Sequence, residues 1–178
     1  WYQFLEAFLL AHDTSPTSDH VSKFIEKGMD MLRASPPNEV FMYMYPDLFQ
    51  LAYDVVLGCH LFDMLKPLHQ HMNKWARMQP AVALPRKAVI AGQIDLLKRN
   101  GVLPSFAVCA PLCPSEPSSV SALRHALKFM AANKIDAPVE KVLVLHMLAM
   151  VQEDAGAMAE QRRQMEKMGR GRMVLLPQ

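Results

Sequence analysis

The sequence predicts an all-α protein, a short right-handed α-solenoid of stacked helical hairpins with six to eight helices. Three observations predict it. Apolar residues recur at the three- and four-residue spacing of helix faces along most of the chain. No segment alternates long enough for a strand, and the prolines of the one candidate, Val102 to Cys113, demote it. Turn clusters rich in Pro, Gly and Ser return at intervals near the length of a helical pair.

Composition narrows the class. The 178 residues suit one domain or one short array, covering 1–178. With 51% apolar and 20% charged residues the chain is built to fold, and a net charge of +2 does not demand a polyanionic partner. Fourteen methionines suit adaptable helix packing. Three cysteines, Cys59, Cys109 and Cys113, are an odd number, which points to a reducing compartment rather than a disulfide framework. The longest charge-free run, Leu103 to Ser115, is short and broken by three prolines, so no membrane span is expected. No signal or transit peptide is visible, and a start at Trp1 fits either a removed leader or a fragment.

In chain order, Trp1 to His12 reads as an apolar helix and Asp13 to Ser18 as a turn. Ser18 is the expected N-cap of a helix whose inner face is Val21, Phe24, Ile25, Gly28 and Leu32, with Asp19 favoured by the dipole. This first hairpin leaves through Pro36 and Pro37. Glu39 to Tyr45 reads as an extra helical turn, and Pro46 as the first residue of a helix to about Leu57, broken by Gly58. A helix follows over Leu61 to Met78, with Leu61, Met64, Leu65, Leu68, Met72 and Trp75 inward and a kink or split expected at Pro67.

After an exit at Pro80, Pro85 is expected to open a single helix carrying Val89, Ile90, Ile94 and Leu97. It ends on dipole-favoured Lys98 and Arg99, with Gly101 as the left-handed residue. The clearest unit runs from Pro104 to Pro138, with Ser118 as N-cap and Val120, Leu123, Leu127 and Met130 as the apolar stripe. Val142 to Val151 is apolar nearly all round apart from His146, as in a helix buried between neighbours. A turn at Asp154 to Gly156 leads to a charged helix striped by Met158, Met165 and Met168.

Hairpins therefore close at Pro37, Pro80, Pro104, Pro138 and Pro177, with gaps of 43, 24, 34 and 39 residues, a mean of 35. The units are about 1–37, 38–80, 81–104, 105–138 and 139–178. One hairpin cannot bury its own apolar face, whereas stacked hairpins can. The stretches Leu96 to Ser105 (LLKRNGVLPS), Phe129 to Pro138 (FMAANKIDAP) and Gln164 to Gly169 (QMEKMG) are similar to the ending of a pentatricopeptide (PPR) unit. Val55 to Met72 is similar to such a unit across its turn and second helix, so the chain resembles a degenerate member of the PPR family over most of its length.

The resemblance implies an α-solenoid in the mitochondrial matrix, and in typical members single-stranded RNA read one base per repeat. The implied reading positions are the residues after the closing prolines, Asn38, Ala81, Ser105 and Val139, together with early helix positions near Cys109 or Ala110 and near Val144. Only Asn38 and Ser105 offer a side chain that can bond a base edge, so RNA is disfavoured as a partner. A repeat that keeps its packing residues and loses its readout is expected to be a non-catalytic scaffold. The implied partners are protein subunits of a larger mitochondrial assembly, with the catalytic head of the ATP synthase first among them.

The remaining constellations are weak as chemistry. His69 and His71, with His60 upstream, point in different directions on a helix and make a poor metal site. Cys109 and Cys113 lack a second ligand pair, and Glu153 and Asp154 read as a solvated turn. An enzyme would need a pocket joining Cys59, His60 or His69 to other polar groups. No catalytic residue, metal ligand or cofactor is expected. Arg162, Arg163, Lys167, Arg170 and Arg172 form a basic cluster that is either a solvated helix face or a contact for phosphates or an acidic protein, and the apolar MVLL tail beyond it suits docking.

Overall fold

In the computed structural model, which describes residues 16–34, 39–103, 112–113, 115–152, 160 and 163–168, every regular element is helical. The all-α expectation therefore holds, with helices packed against helices as in a short α-solenoid. The internal contacts divide the chain into two compact units. The first comprises residues 1–83 with 101–112, the second 84–100 with 113–178.

In the first unit, helix α1 (Ser18–Arg33) is capped one residue earlier than expected: Thr17 is the N-cap and is extended, and its N–H donates to His20 Nδ1 at 3.3 Å. Ser18 is instead the first helical residue, and its hydroxyl donates to Asp63 at 2.8 Å. Val21, Phe24, Gly28, Met29 and Leu32 form the buried face. A Cβ at Gly28 would stand 2.8 Å from Tyr45 Oη and 3.2 Å from Cε2, so the missing side chain is what lets α1 approach α2.

Helix α2 (Glu39–Gly58) corrects the reading of Pro46 as a helix start, because it runs straight through that residue. Proline deletes one i→i−4 hydrogen bond. Burial of Phe41, Tyr45, Leu48, Phe49, Ala52, Tyr53 and Val56 offsets that loss, as tertiary packing commonly overrides local propensity. The turn after Gly58 is closed by Leu61 N–H donating to the Val56 carbonyl at 2.9 Å, with His60 (φ 57°) in the left-handed position.

The expected helix over Leu61 to Met78 is split into a 3-10 turn, Phe62–Met64, and α3, Leu65–Met78. Pro67 is the third residue of α3, within the first turn, where backbone N–H groups have no intrahelical acceptor and proline costs little. The expected inward face is confirmed at Met64, Leu65, Leu68, Met72 and Trp75, all buried.

Helix α4 (Pro80–Arg99) begins at Pro80 rather than at Pro85, and Pro85 lies inside it. Pro80 and Pro138 both occupy first helical positions, so these two prolines open helices instead of closing hairpins. Beyond α4, Gly101 is left-handed at φ +66°, as the sequence predicts.

The second unit packs α4 with α5 (Ser119–Ala132) and α6 (Pro138–Gln152). Ser118 caps α5, its Oγ accepting the Ser121 N–H at 3.1 Å. The core joins Ala88 and Val89 on α4, Leu123 and Ala126 on α5, and Val144 and Leu148 on α6. Gly92 admits α6 closely: a Cβ there would fall 2.4 Å from Met147 Cγ. Residues 163–168 are helical, but Met165 is exposed and Gln164 buried, which corrects the expected methionine stripe at Met165. The Gln164 amide donates to Glu160 at 2.7 Å, which fixes that face inward.

Candidate functional site

The largest polar investment in the first unit is a pair of tyrosine–histidine contacts between α2 and α3. Tyr53 Oη lies 3.0 Å from His69 Nδ1, and Tyr45 Oη is hydrogen-bonded to His71 Nε2. The pairs run in opposite order along the two helices, so α2 and α3 are antiparallel. His69 and His71 are both buried, and each meets its own tyrosine, as their divergent directions on the helix require. Phe49 stacks on His71 with ring centroids 5.1 Å apart, and Trp75 meets Tyr45 edge-on at 4.9 Å.

Burial, reinforced by the nearby Lys74 charge, lowers His71 to a pKa of about 4, so the ring is neutral at pH 7. Burial likewise pushes the Tyr45 phenol well above its usual range. Nδ1 of His71 has no hydrogen-bond partner among the described residues. A sealed aromatic core with neutral partners offers neither a nucleophile nor access for substrate. The sequence signal was available, since Tyr45 and Tyr53 are eight apart and His69 and His71 two apart, but their pairing depends on helix register.

In the second unit, Arg86 on α4 and Glu140 on α6 form a buried bidentate ion pair, with Nη2–Oε1 at 2.8 Å and Nε–Oε2 at 3.1 Å. Sequence reasoning missed both residues. The available signal was an arginine within the mostly apolar stretch 80–92, with a glutamate just after a helix-opening proline.

The N-terminal end of α5 carries an open cleft of about 410 Å³ lined by Glu116, Ser118, Ser121, Arg124, His125 and Lys128. Its carboxylate is already engaged: Glu116 Oε1 is 3.1 Å from His125 Nδ1, and Oε2 accepts from the Ser121 hydroxyl. A cavity of about 80 Å³ beside it is lined in part by Lys87 and Cys113. Burial raises the Cys113 thiol, with Lys87 opposing and Glu116 adding, which leaves it a poor nucleophile. Among the described residues no three His, Cys, Asp or Glu side chains are grouped to hold a metal ion. No described helix is long and apolar enough to cross a membrane.

Of the basic cluster, Arg163 and Lys167 are exposed on the helical stretch 163–168, and Arg162, Arg170 and Arg172 lie outside the described residues. Arg163 pairs with Glu160, which also faces Lys141 at 3.5 Å. The bond from Gln164, then the Arg163 and Lys141 contacts, hold the Glu160 carboxyl below its usual range. The cluster is thus partly neutralised within the chain.

Among the implied base-reading positions, Asn38, Ser105, Cys109 and Ala110 fall outside the described residues, as do Glu153 and Asp154. Val139 is exposed at the start of α6, and Val144 is fully buried in the core of the second unit. No protein-family model, curated protein or solved structure matches the chain.

Proposed function

We propose that this chain is a non-catalytic helical-repeat scaffold, an accessory subunit of a mitochondrial multisubunit complex on the matrix side. The PPR resemblance favours the catalytic head of the ATP synthase, where euglenozoan enzymes carry a PPR-like subunit of similar length and repeat number. The observation that carries the reading is Val144. The early-helix position that the resemblance would assign to base readout is occupied by an apolar side chain with no exposed surface. Chemistry is likewise poorly supplied: each buried histidine bonds a tyrosine through one ring nitrogen, and burial raises the Cys113 thiol.

Purification of the tagged protein from mitochondria of its source, followed by native electrophoresis and mass spectrometry, tests the reading. Co-migration with a large assembly containing ATP synthase subunits is expected. A protein that migrates alone sinks the proposal.

The second reading is an RNA-binding PPR protein or a mitoribosomal one. The exposure of Arg163 and Lys167 favours it. It requires affinity for single-stranded RNA that falls steeply with salt. Absence of binding to an RNA oligonucleotide at low salt removes it.

A further inference from the structure

The second unit carries a basic cleft that the scaffold reading does not use. Ser118, Ser121, Arg124, His125 and Lys128 recur at three- and four-residue steps, so they share one side of α5. That side lines the open cleft of about 410 Å³. From Ser121 to Lys128 it extends about 10 Å at the rise of an α-helix. Arg124, His125 and Lys128 are exposed, so a ligand reaches them from solvent. The cavity of about 80 Å³ shares Glu116 and His125 with the cleft. It adds half-buried Lys87 from α4 and a small apolar wall that includes Ala88 and Ala126. The combined site therefore draws on two helices and on the turn that precedes α5.

Charge decides the sign of the ligand. Lys87, Arg124 and Lys128 face a single carboxylate, Glu116. Both oxygens of that carboxylate are engaged, one 3.1 Å from His125 Nδ1 and the other accepting from the Ser121 hydroxyl. A cationic ligand would meet like charges, whereas an anion meets three cations. The influence of Lys87 extends inward, since its charge opposes the rise that burial imposes on the Cys113 thiol.

The donors suit phosphate. A guanidinium presents a planar fork to two oxygens, and an ammonium supplies a point charge. Arg124 Nη2 also reaches Gln152 at 3.4 Å, a long bond that occupies one of five donors. Ser118 Oγ accepts the Ser121 N–H through a lone pair, which leaves its own O–H able to donate. The volume is that of a small-molecule site and exceeds the needs of a bare phosphate ion.

We infer that the cleft along α5 binds a small phosphate monoester, its phosphate held by Arg124 and Lys128 and its organic body directed toward Ala88 and Ala126. This site is additional to the scaffold role and depends on no part of it.

The probe is phenyl phosphate, titrated into the full chain at low salt and followed by calorimetry and amide NMR. Saturable binding is expected, weakened by added salt, with shifted amides concentrated between residues 116 and 128. Inorganic phosphate is expected to bind more weakly, because it leaves the apolar wall uncovered. Arg124→Gln with Lys128→Gln keeps much of each side-chain stem and is expected to weaken binding at least about tenfold. Lys23→Gln with Lys98→Gln removes two exposed cations elsewhere and is expected to change nothing. Circular dichroism confirms that each variant folds, and the wild-type shift map locates the site without any variant. No saturable binding at millimolar concentration, shifts spread over the whole basic surface, or equal losses in the two double variants overturns the inference. Equal affinity for inorganic phosphate overturns the monoester assignment, and binding of a phosphoserine peptide with none of phenyl phosphate overturns it in favour of a phosphorylated protein.

Discussion

Arg86 and Glu140 meet as a planar fork against a carboxylate with almost no contact with water, at 3% and 9% side-chain exposure. Desolvating two charges is costly, and the pair is tolerated because its bidentate geometry recovers much of that cost. Removing one charge alone forfeits that recovery. Glu140→Gln is therefore expected to destabilise the protein by about 3 kcal/mol. Replacing both residues by apolar side chains (Arg86→Met with Glu140→Leu) is expected to restore most of the loss, as read by urea unfolding. Gly92 is a second residue whose role lies entirely in its surroundings. Gly92→Ala places a Cβ 2.4 Å from the middle of the Met147 side chain, so α4 and α6 must part locally. Chemical denaturation is expected to show a loss of about 1–3 kcal/mol, the usual range for overpacking. Neither role was legible in the chain. A buried arginine and a solvated one are the same letter until a carboxylate is brought beside it.

Local caps were read to within one residue, Thr17 capping in place of Ser18, and helix ends were read poorly where packing decides. Ser118 and Gly101 are where the sequence places them, because a capping hydroxyl and a left-handed glycine act within a few residues. The prolines were misread for the opposite reason. Pro46 and Pro85 look like helix starts, yet both lie inside helices whose buried faces outweigh one missing backbone bond. Helix α5 ends in a motif that the sequence also hides. Ile135 N–H reaches back to the Met130 carbonyl at 3.0 Å around Lys134, a non-glycine residue at φ 51°. Lys134 is exposed and its left-handed backbone strains a Cβ, so Lys134→Gly is expected to raise stability by about 1 kcal/mol, measured as an upward shift in melting temperature. An unchanged or lower melting temperature contradicts this account of the turn.

Across the whole molecule, stability should follow pH through the aromatic core of the first unit. His71 titrates near 6.5 in an unfolded chain and at about 4 when buried beside Lys74. The unfolded state therefore takes up the proton first. The contribution is fully present above pH 6.5 and is lost as the pH falls from there toward 4, by about 3 kcal/mol in all. Unfolding at a series of pH values is expected to show this decline beginning above the range where carboxylates titrate, and His71→Gln is expected to flatten it. The histidine pair illustrates how partial the legibility of a site was. Residue types and spacing already made His69 and His71 a poor pair for a shared metal, whereas their tyrosine partners required the antiparallel register of α2 and α3.

The sequence by itself determined an all-helical chain, its main apolar stripes and the caps at Ser118 and Gly101. These follow from periodicity and from bonds made within one turn of the residue concerned. Only the tertiary structure decided that Pro46 and Pro85 would be absorbed into helices and that His69 and His71 would each take a tyrosine. It alone paired Arg86 with Glu140. Each of those outcomes depends on a group far away in the chain, and the free energy of burying it against that group exceeds the local preference.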